Sequence, residues 1–151
     1  MKIAVITGAS SGLGVELLRA AAGLCPDIDA FWLIARRRER LEALAAQFPG
    51  KTLLPVPLDL TDPTALKSLE SLLDAQKPAV SLLINNAGFG RLCDFGESDP
   101  ADQTGMVDLN CRALTAVTHG EENTRDGSGT IIQDAGEGGR ALADYILSVV
   151  K

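Results

Sequence analysis

Near the start of the chain, Thr7-Gly8-Ala9-Ser10-Ser11-Gly12-Leu13-Gly14 has the residue types needed to hold a phosphate. Its glycines permit a tight turn and a close approach of the main chain, and Ser10 and Ser11 add hydroxyls and amides. A β-branched run, Ile3 to Ile6, precedes it, and Leu13, Leu17, Leu18 and Ala21 follow at helical spacing. Strand, glycine turn and helix N-terminus together aim amides and the positive end of a helix dipole at a pyrophosphate. Glycine spacing alone is a weak signal and can serve packing only. The flanking patterns give it weight.

A second cluster, Arg36-Arg37-Arg38, follows the apolar run Phe31 to Ala35. No carboxylate stands at the end of that run. Guanidinium groups suit a phosphate bidentately, and positive charge at a helix start is unfavourable unless it has a use. The plain alternative is a solvated helix start, which fits at least one of Arg37 and Arg38.

These residues need elements to position them. Runs at Ile3 to Ile6, Phe31 to Ala35, Thr52 to Leu58 and Val80 to Ile84 alternate with helical patterns. Those patterns lie at Leu13 to Leu24, at Arg38 to Phe48 (Leu41, Leu44 and Ala45 inward) and from Thr61-Asp62-Pro63 to about Ala75 (Leu66, Leu69, Leu72 and Leu73 inward). Continuous apolar strands alternating with helices predict βαβ units and a parallel sheet covered on both faces. Pro55 and Pro57 make the third run an irregular or edge strand. Gly88 to Pro100 reads as a loop and Asp102 to His119 as a helix, with Met106, Leu109, Ala113, Leu114 and Val117 as its apolar set. Gly120 to Gly129 is polar and turn-rich. Thr130 to Gln133 reads as a fifth strand and Ala141 to Val150 as a short amphipathic helix. The fold class is therefore α/β, a Rossmann-type doubly wound parallel sheet of about five strands.

The 151 residues suit one domain, with 46% hydrophobic and 23% charged residues. A net charge of −6 argues against a nucleic-acid surface. The apolar runs are far shorter than the roughly 18 residues of a membrane span, and Met1 to Ile6 is too short for a signal peptide. Cys25, Cys93 and Cys111 share no metal-like spacing, and no metal site is expected; reduced, buried thiols in a cytoplasmic protein are the plain reading. Trp32 is expected in the core, and His119 at a helix end serves the dipole.

Four motifs in order give a resemblance. The turn Thr7 to Gly14, Asp59-Leu60 after the third run, Asn85-Asn86-Ala87-Gly88 after the fourth, and Asn110 in the long helix resemble the short-chain dehydrogenase/reductase family. The resemblance is good from Lys2 to about Thr118, then patchy. It implies a nicotinamide dinucleotide held by Gly8, Ser10, Ser11, Gly12, Leu13 and Gly14, with Asp59 on the adenine amino group and Leu60 offering its amide. Asn86, Ala87 and Gly88 would line the ribose and nicotinamide side, and Asn110 matches the family's catalytic Asn. Arg just after the second strand goes with NADP in that family, so NADP is expected over NAD, with Arg36 as the phosphate contact and Arg37 second.

The same resemblance implies a Ser, and a Tyr with a Lys four residues on that lowers the Tyr pKa. These are not found. The single tyrosine, Tyr145, has Val149 at that spacing and Lys151 six positions on, about 120° further round a helix. Where the Ser should follow Gly127 to Ile132, the chain reads Gln133-Asp134-Ala135-Gly136. Tyr145 is therefore expected to be a packing residue. Residues 1–151 read as one NAD(P)-binding domain, truncated relative to the family, with 120–151 an atypical tail. The expected function is NADP(H) binding with impaired hydride transfer between NADPH and a carbonyl or alcohol. Alternatives are an active oxidoreductase completed by a partner chain, and a regulatory or interaction protein with the nucleotide as a structural ligand; a homo-oligomer or a partner chain is left open as the assembly.

Overall fold

A computed structural model describes residues 1–122 and 130–133. Among the described residues, five strands form one sheet in the order β3-β2-β1-β4-β5, every neighbouring pair parallel. They are β1 (Lys2–Thr7), β2 (Ala30–Ala35), β3 (Thr52–Pro57), β4 (Ala79–Asn85) and β5 (Thr130–Gln133). The helices are α1 (Leu13–Leu24), α2 (Arg38–Ala45), α3 (Pro63–Gln76), α4 (Pro100–Val107) and α5 (Leu114–Glu122). This is the doubly wound parallel sheet that the alternating pattern predicts. The chain starts in the middle, builds outward through β2 and β3, then crosses back to β4 on the other side of β1. That reversal leaves a crevice at the strand carboxyl ends, between β1 and β4.

Each face of the sheet carries its own core. Ala4, Ile6, Phe31 and Leu33 pack with Leu17, Leu18, Leu41 and Leu44 on one side. Ile3, Val5, Trp32 and Ile34 pack with Leu69, Leu73, Ala113 and Val117 on the other. The alternation follows from the two-residue period of a strand. Trp32 is fully buried. Asp62 caps α3 by accepting from Thr64 N at 2.8 Å, and Pro63 takes the first helical position. β3 is an edge strand, as its prolines require.

Several expectations are corrected. The helix expected from Asp102 to His119 is three pieces: α4, a π-helical turn at Asp108–Ala113, and α5. It starts at Pro100, with Asp99 as its cap accepting from Ala101 N at 2.8 Å. That Asp-Pro pair is the same start signal as at α3. Its end also differs, because α5 runs through Gly120 to Glu122. The loop 88–99 holds a 3₁₀ turn at Phe95–Glu97. α2 stops at Ala45 rather than Phe48, and Ala45 faces solvent. Leu13 is exposed at the start of α1. Cys25 is partly buried, but Cys93 and Cys111 are exposed, the first in the loop after β4 and the second on the outer face of the π-helical turn. The expected helix at Ala141–Val150, with Tyr145 and Lys151, lies outside the described residues.

Candidate active site

The cleft at the crossover is built from four strand ends. β1 ends at Thr7, which is buried, and its hydroxyl organises the neighbouring strand's exit. Thr7 Oγ1 accepts from Asn86 N at 3.0 Å and Ala87 N at 2.9 Å, and donates to Ile84 O at 3.5 Å. In return, Asn86 Nδ2 donates to Thr7 O at 3.1 Å and Gly8 O at 3.3 Å. The glycine turn and the Asn-Ala-Gly segment are thus one hydrogen-bonded unit. Thr7 opens the sequence motif, but its role depends on β1 lying beside β4, which spacing alone does not reveal.

Two glycines in this unit have no room for a side chain. A Cβ on Gly8 would lie 2.7 Å from Asn86 Nδ2 and 2.9 Å from Ala87 Cα. One on Gly14 would overlap Gly8 O and come within 2.9 Å of Ala9 Cα. Gly12 is different. No atom of the described residues lies within 4 Å of its Cβ position, but its φ of 56° and ψ of −133° are a glycine conformation. Gly12 precedes α1, and among the described residues no side chain caps that helix. Its N-terminus therefore opens towards the cleft with amides to offer an anion.

Gly8, Ser10, Ser11 and Leu13 line one wall of the cleft, whose volume is about 330 Å³. Arg36 and Arg37, at the end of β2, line it beside them. Arg37 Nη2 donates to Ser10 Oγ at 3.3 Å and Ser11 Oγ at 3.2 Å, so this guanidinium lies against the glycine turn. Asp59 and Leu60 line the next wall, then Asn86, Ala87 and Gly88. Thr61, Phe89 and Leu109 also face the cleft and carried no motif signal. Of the expected residues, Gly12 and Gly14 support the turn without lining the cleft, and Asn110 stands behind Gly88. Asn110 accepts from Phe89 N at 3.0 Å and donates to Phe89 O at 2.9 Å. Its amide clamps the loop that leaves β4.

Asp59 Oδ1 accepts from Thr61 Oγ1 at 2.7 Å and Thr61 N at 3.0 Å. The Thr61 hydroxyl, with smaller help from the Thr61 amide and Arg36, holds the Asp59 carboxyl below its usual pKa; partial burial opposes this. Asp59 therefore adds stability that is present above the ordinary carboxylate pKa. That stability is lost as pH falls through the depressed folded value. Thr61→Val removes the strongest partner without changing shape. The Asp59 midpoint, read by NMR titration of its carboxyl carbon, is expected to rise towards the ordinary value. An unmoved midpoint would refute the assignment.

Crossover cleft, glycine turn and uncapped helix define an open α/β domain of the nucleotide-binding class. A family model described as short chain dehydrogenase matches residues 2–141, and the chain belongs to that family. It is 36% identical over 103 residues to the NADPH-dependent 1-acyldihydroxyacetone phosphate reductase of Saccharomyces cerevisiae, covering 67% of this chain and 33% of the yeast protein. It is 37% identical over 107 residues to a probable NADP-dependent dehydrogenase of Dichelobacter nodosus, covering 70% of this chain and 92% of that protein. The alcohol dehydrogenase of the archaeon Thermococcus sibiricus, solved with 5-hydroxy-NADP, superposes with a TM-score of 0.77 at 25% identity, over 88% of this chain and 57% of that one. The chain spans half or less of the length of several curated relatives, at 33%, 50%, 40% and 29%. Among the described residues, no helix is long and apolar enough to cross a membrane, and no group of three His, Cys, Asp or Glu could hold a metal ion.

Proposed function

We propose that this chain binds NADP(H) in the crossover cleft, in preference to NAD(H), as one domain with a departing tail from residue 120. The observation that carries it is the pair Arg36 and Arg37, both lining the cleft at the end of β2 beside the uncapped start of α1. Arg36 is assigned to the ribose 2′-phosphate, with Arg37 beside it, aimed by Ser10 and Ser11. The α1 amides and the glycine turn take the pyrophosphate, Asp59 and Leu60 the adenine, and Asn86 to Gly88 the nicotinamide ribose. The fit rests on the turn itself, since Gly8 and Gly14 leave no space for side chains and Gly12 adopts a glycine conformation. The yeast relative's NADPH dependence and the 5-hydroxy-NADP of the archaeal structure support the same choice.

The bound nicotinamide would supply hydride exchange with a carbonyl or alcohol. What this chain contributes is binding and orientation. Asn110 is assigned as the residue that holds Phe89, and with it the nicotinamide wall. For proton transfer the sequence offers Tyr145 without a lysine at the fourth position, so turnover is proposed to be impaired. Calorimetric titration tests the cofactor assignment. NADPH is expected to bind more tightly than NADH. Arg36→Ala should weaken NADPH by roughly 1.5–3 kcal/mol, the value of a hydrogen bond to a charged group, and leave NADH nearly unchanged. Equal affinities, or tighter NADH, would overturn it.

A further inference from the structure

The π-helical turn at Asp108–Ala113 sends two side chains to two different walls of the cleft. Asn110 holds Phe89, as described. Arg112 Nη2 donates to the Thr61 carbonyl at 2.9 Å, across 51 residues of sequence. Arg112 Nε donates to Asp108 Oδ1 at 3.0 Å on the turn itself. As an exposed ion pair this adds little stability. Its geometric effect is larger, because one edge of a planar guanidinium is fixed and the other is thereby aimed at the loop. Thr61 then gives both its N–H and its hydroxyl to Asp59. An unbroken chain of hydrogen bonds thus runs from Asp108 through Arg112 and Thr61 to the cleft carboxylate. Between the two anchors, the same turn places Leu109 in the cleft wall. π-helical turns are rare and concentrate at functional sites.

We propose that Arg112 is a positioning residue for the adenine half of the dinucleotide. It holds the Thr61 carbonyl, so that Asp59 and Leu60 keep their places, while Asn110 holds the opposite wall from the same turn. One irregular turn therefore sets the spacing between the two ends of a single ligand. This deepens the cofactor assignment above and rests on it.

The test uses adenosine 2′,5′-bisphosphate, which carries only the adenine half, beside NADPH. Both are titrated calorimetrically into the wild-type chain and into Arg112→Met, Arg112→Lys and Asn110→Ala. Arg112→Met is expected to weaken both ligands by about tenfold, the scale of one hydrogen bond from a charged group. Asn110→Ala should weaken NADPH but leave adenosine 2′,5′-bisphosphate within about twofold. Arg112→Lys keeps the charge without the fork and should recover only part of the loss. In Arg112→Met the Asp59 carboxyl should titrate nearer its ordinary value, which general destabilisation would not produce. If Arg112→Met does not fold, Asp108→Asn, which loosens the aim of the guanidinium, should show the same selective loss at smaller size. Wild-type affinity for adenosine 2′,5′-bisphosphate in the folded variant would overturn the proposal, as would an equal loss in Asn110→Ala. Failure of the wild-type chain to bind either ligand would overturn the cofactor assignment as well.

Discussion

Gly14→Val is expected to abolish dinucleotide binding and to lower the stability of the chain markedly. Gly14 is buried at the first turn of α1, and an added Cβ would overlap the carbonyl oxygen of Gly8. Its other near neighbours are Ala9 Cα and Asn86 Nδ2, each at 2.9 Å. Two of these three are main-chain atoms, which cannot turn aside as a flexible side chain can. Relief requires the turn to lift away from α1, and that breaks the bonds from Asn86 Nδ2 to Thr7 O and Gly8 O. Overpacking usually costs 1–3 kcal/mol, and a clash with main chain belongs at about the upper end. Urea unfolding and NADPH calorimetry check both parts. Gly12→Val is the informative comparison. Its Cβ meets no atom of the described residues within 4 Å, so its cost comes from conformation, about 1–3 kcal/mol for a residue forced into a sparse region. A Gly14→Val chain with wild-type midpoint and affinity would remove the turn from the site.

The second large effect concerns turnover. The 151-residue chain, loaded with NADPH and offered a panel of aldehydes and ketones, is expected to oxidise it near the background rate. General acid–base help is worth typically about 10²–10⁴-fold, and orientation of the carbonyl adds more. Asn110 cannot supply a proton, because an amide does not titrate in the useful range and both its polar ends are committed to Phe89. Tyr145 carries Val149 rather than a cation at the fourth position, so the sequence gives it no partner to ease transfer of its proton. Tyr145→Phe should then leave the rate unchanged. Rapid NADPH oxidation by the purified chain, lost in Tyr145→Phe, would show a proton donor that these residues do not reveal.

Much of the positioning frame was legible because it rests on local signals. The β-branched runs give the strands, the two-residue period gives the two cores, and Pro55 and Pro57 place β3 at an edge. The glycine turn and the Arg pair could be picked out because each follows a strand end, and a parallel sheet gathers its strand ends; Asp59-Leu60 and Asn86 to Gly88 were legible only through the family resemblance. The roles of Thr7, Thr61 and Arg112 were not legible. Each acts through partners 51 to 80 residues away or through a neighbour in an irregular loop, and no periodicity encodes such pairs. The break in the long helix was hidden for a related reason. A π-helical turn shifts the helix register by one residue, while the apolar set Met106, Leu109, Ala113, Leu114 and Val117 reads as continuous. The start at Asp99-Pro100 was available by the same rule as Asp62-Pro63 and was obscured by the loop-like residues before it.

The prolines of β3 have a consequence beyond marking an edge. Leu58 N donates inward to Ala35 O at 3.1 Å, so main-chain amides two and four residues earlier, at Val56 and Leu54, share that direction. Positions 53, 55 and 57 therefore face away from the sheet, and two of the three are proline. A foreign strand docking on this flank would find carbonyls but almost no donors to answer its own. The flank is thereby blunted against intermolecular strand addition, the first step of edge-to-edge aggregation.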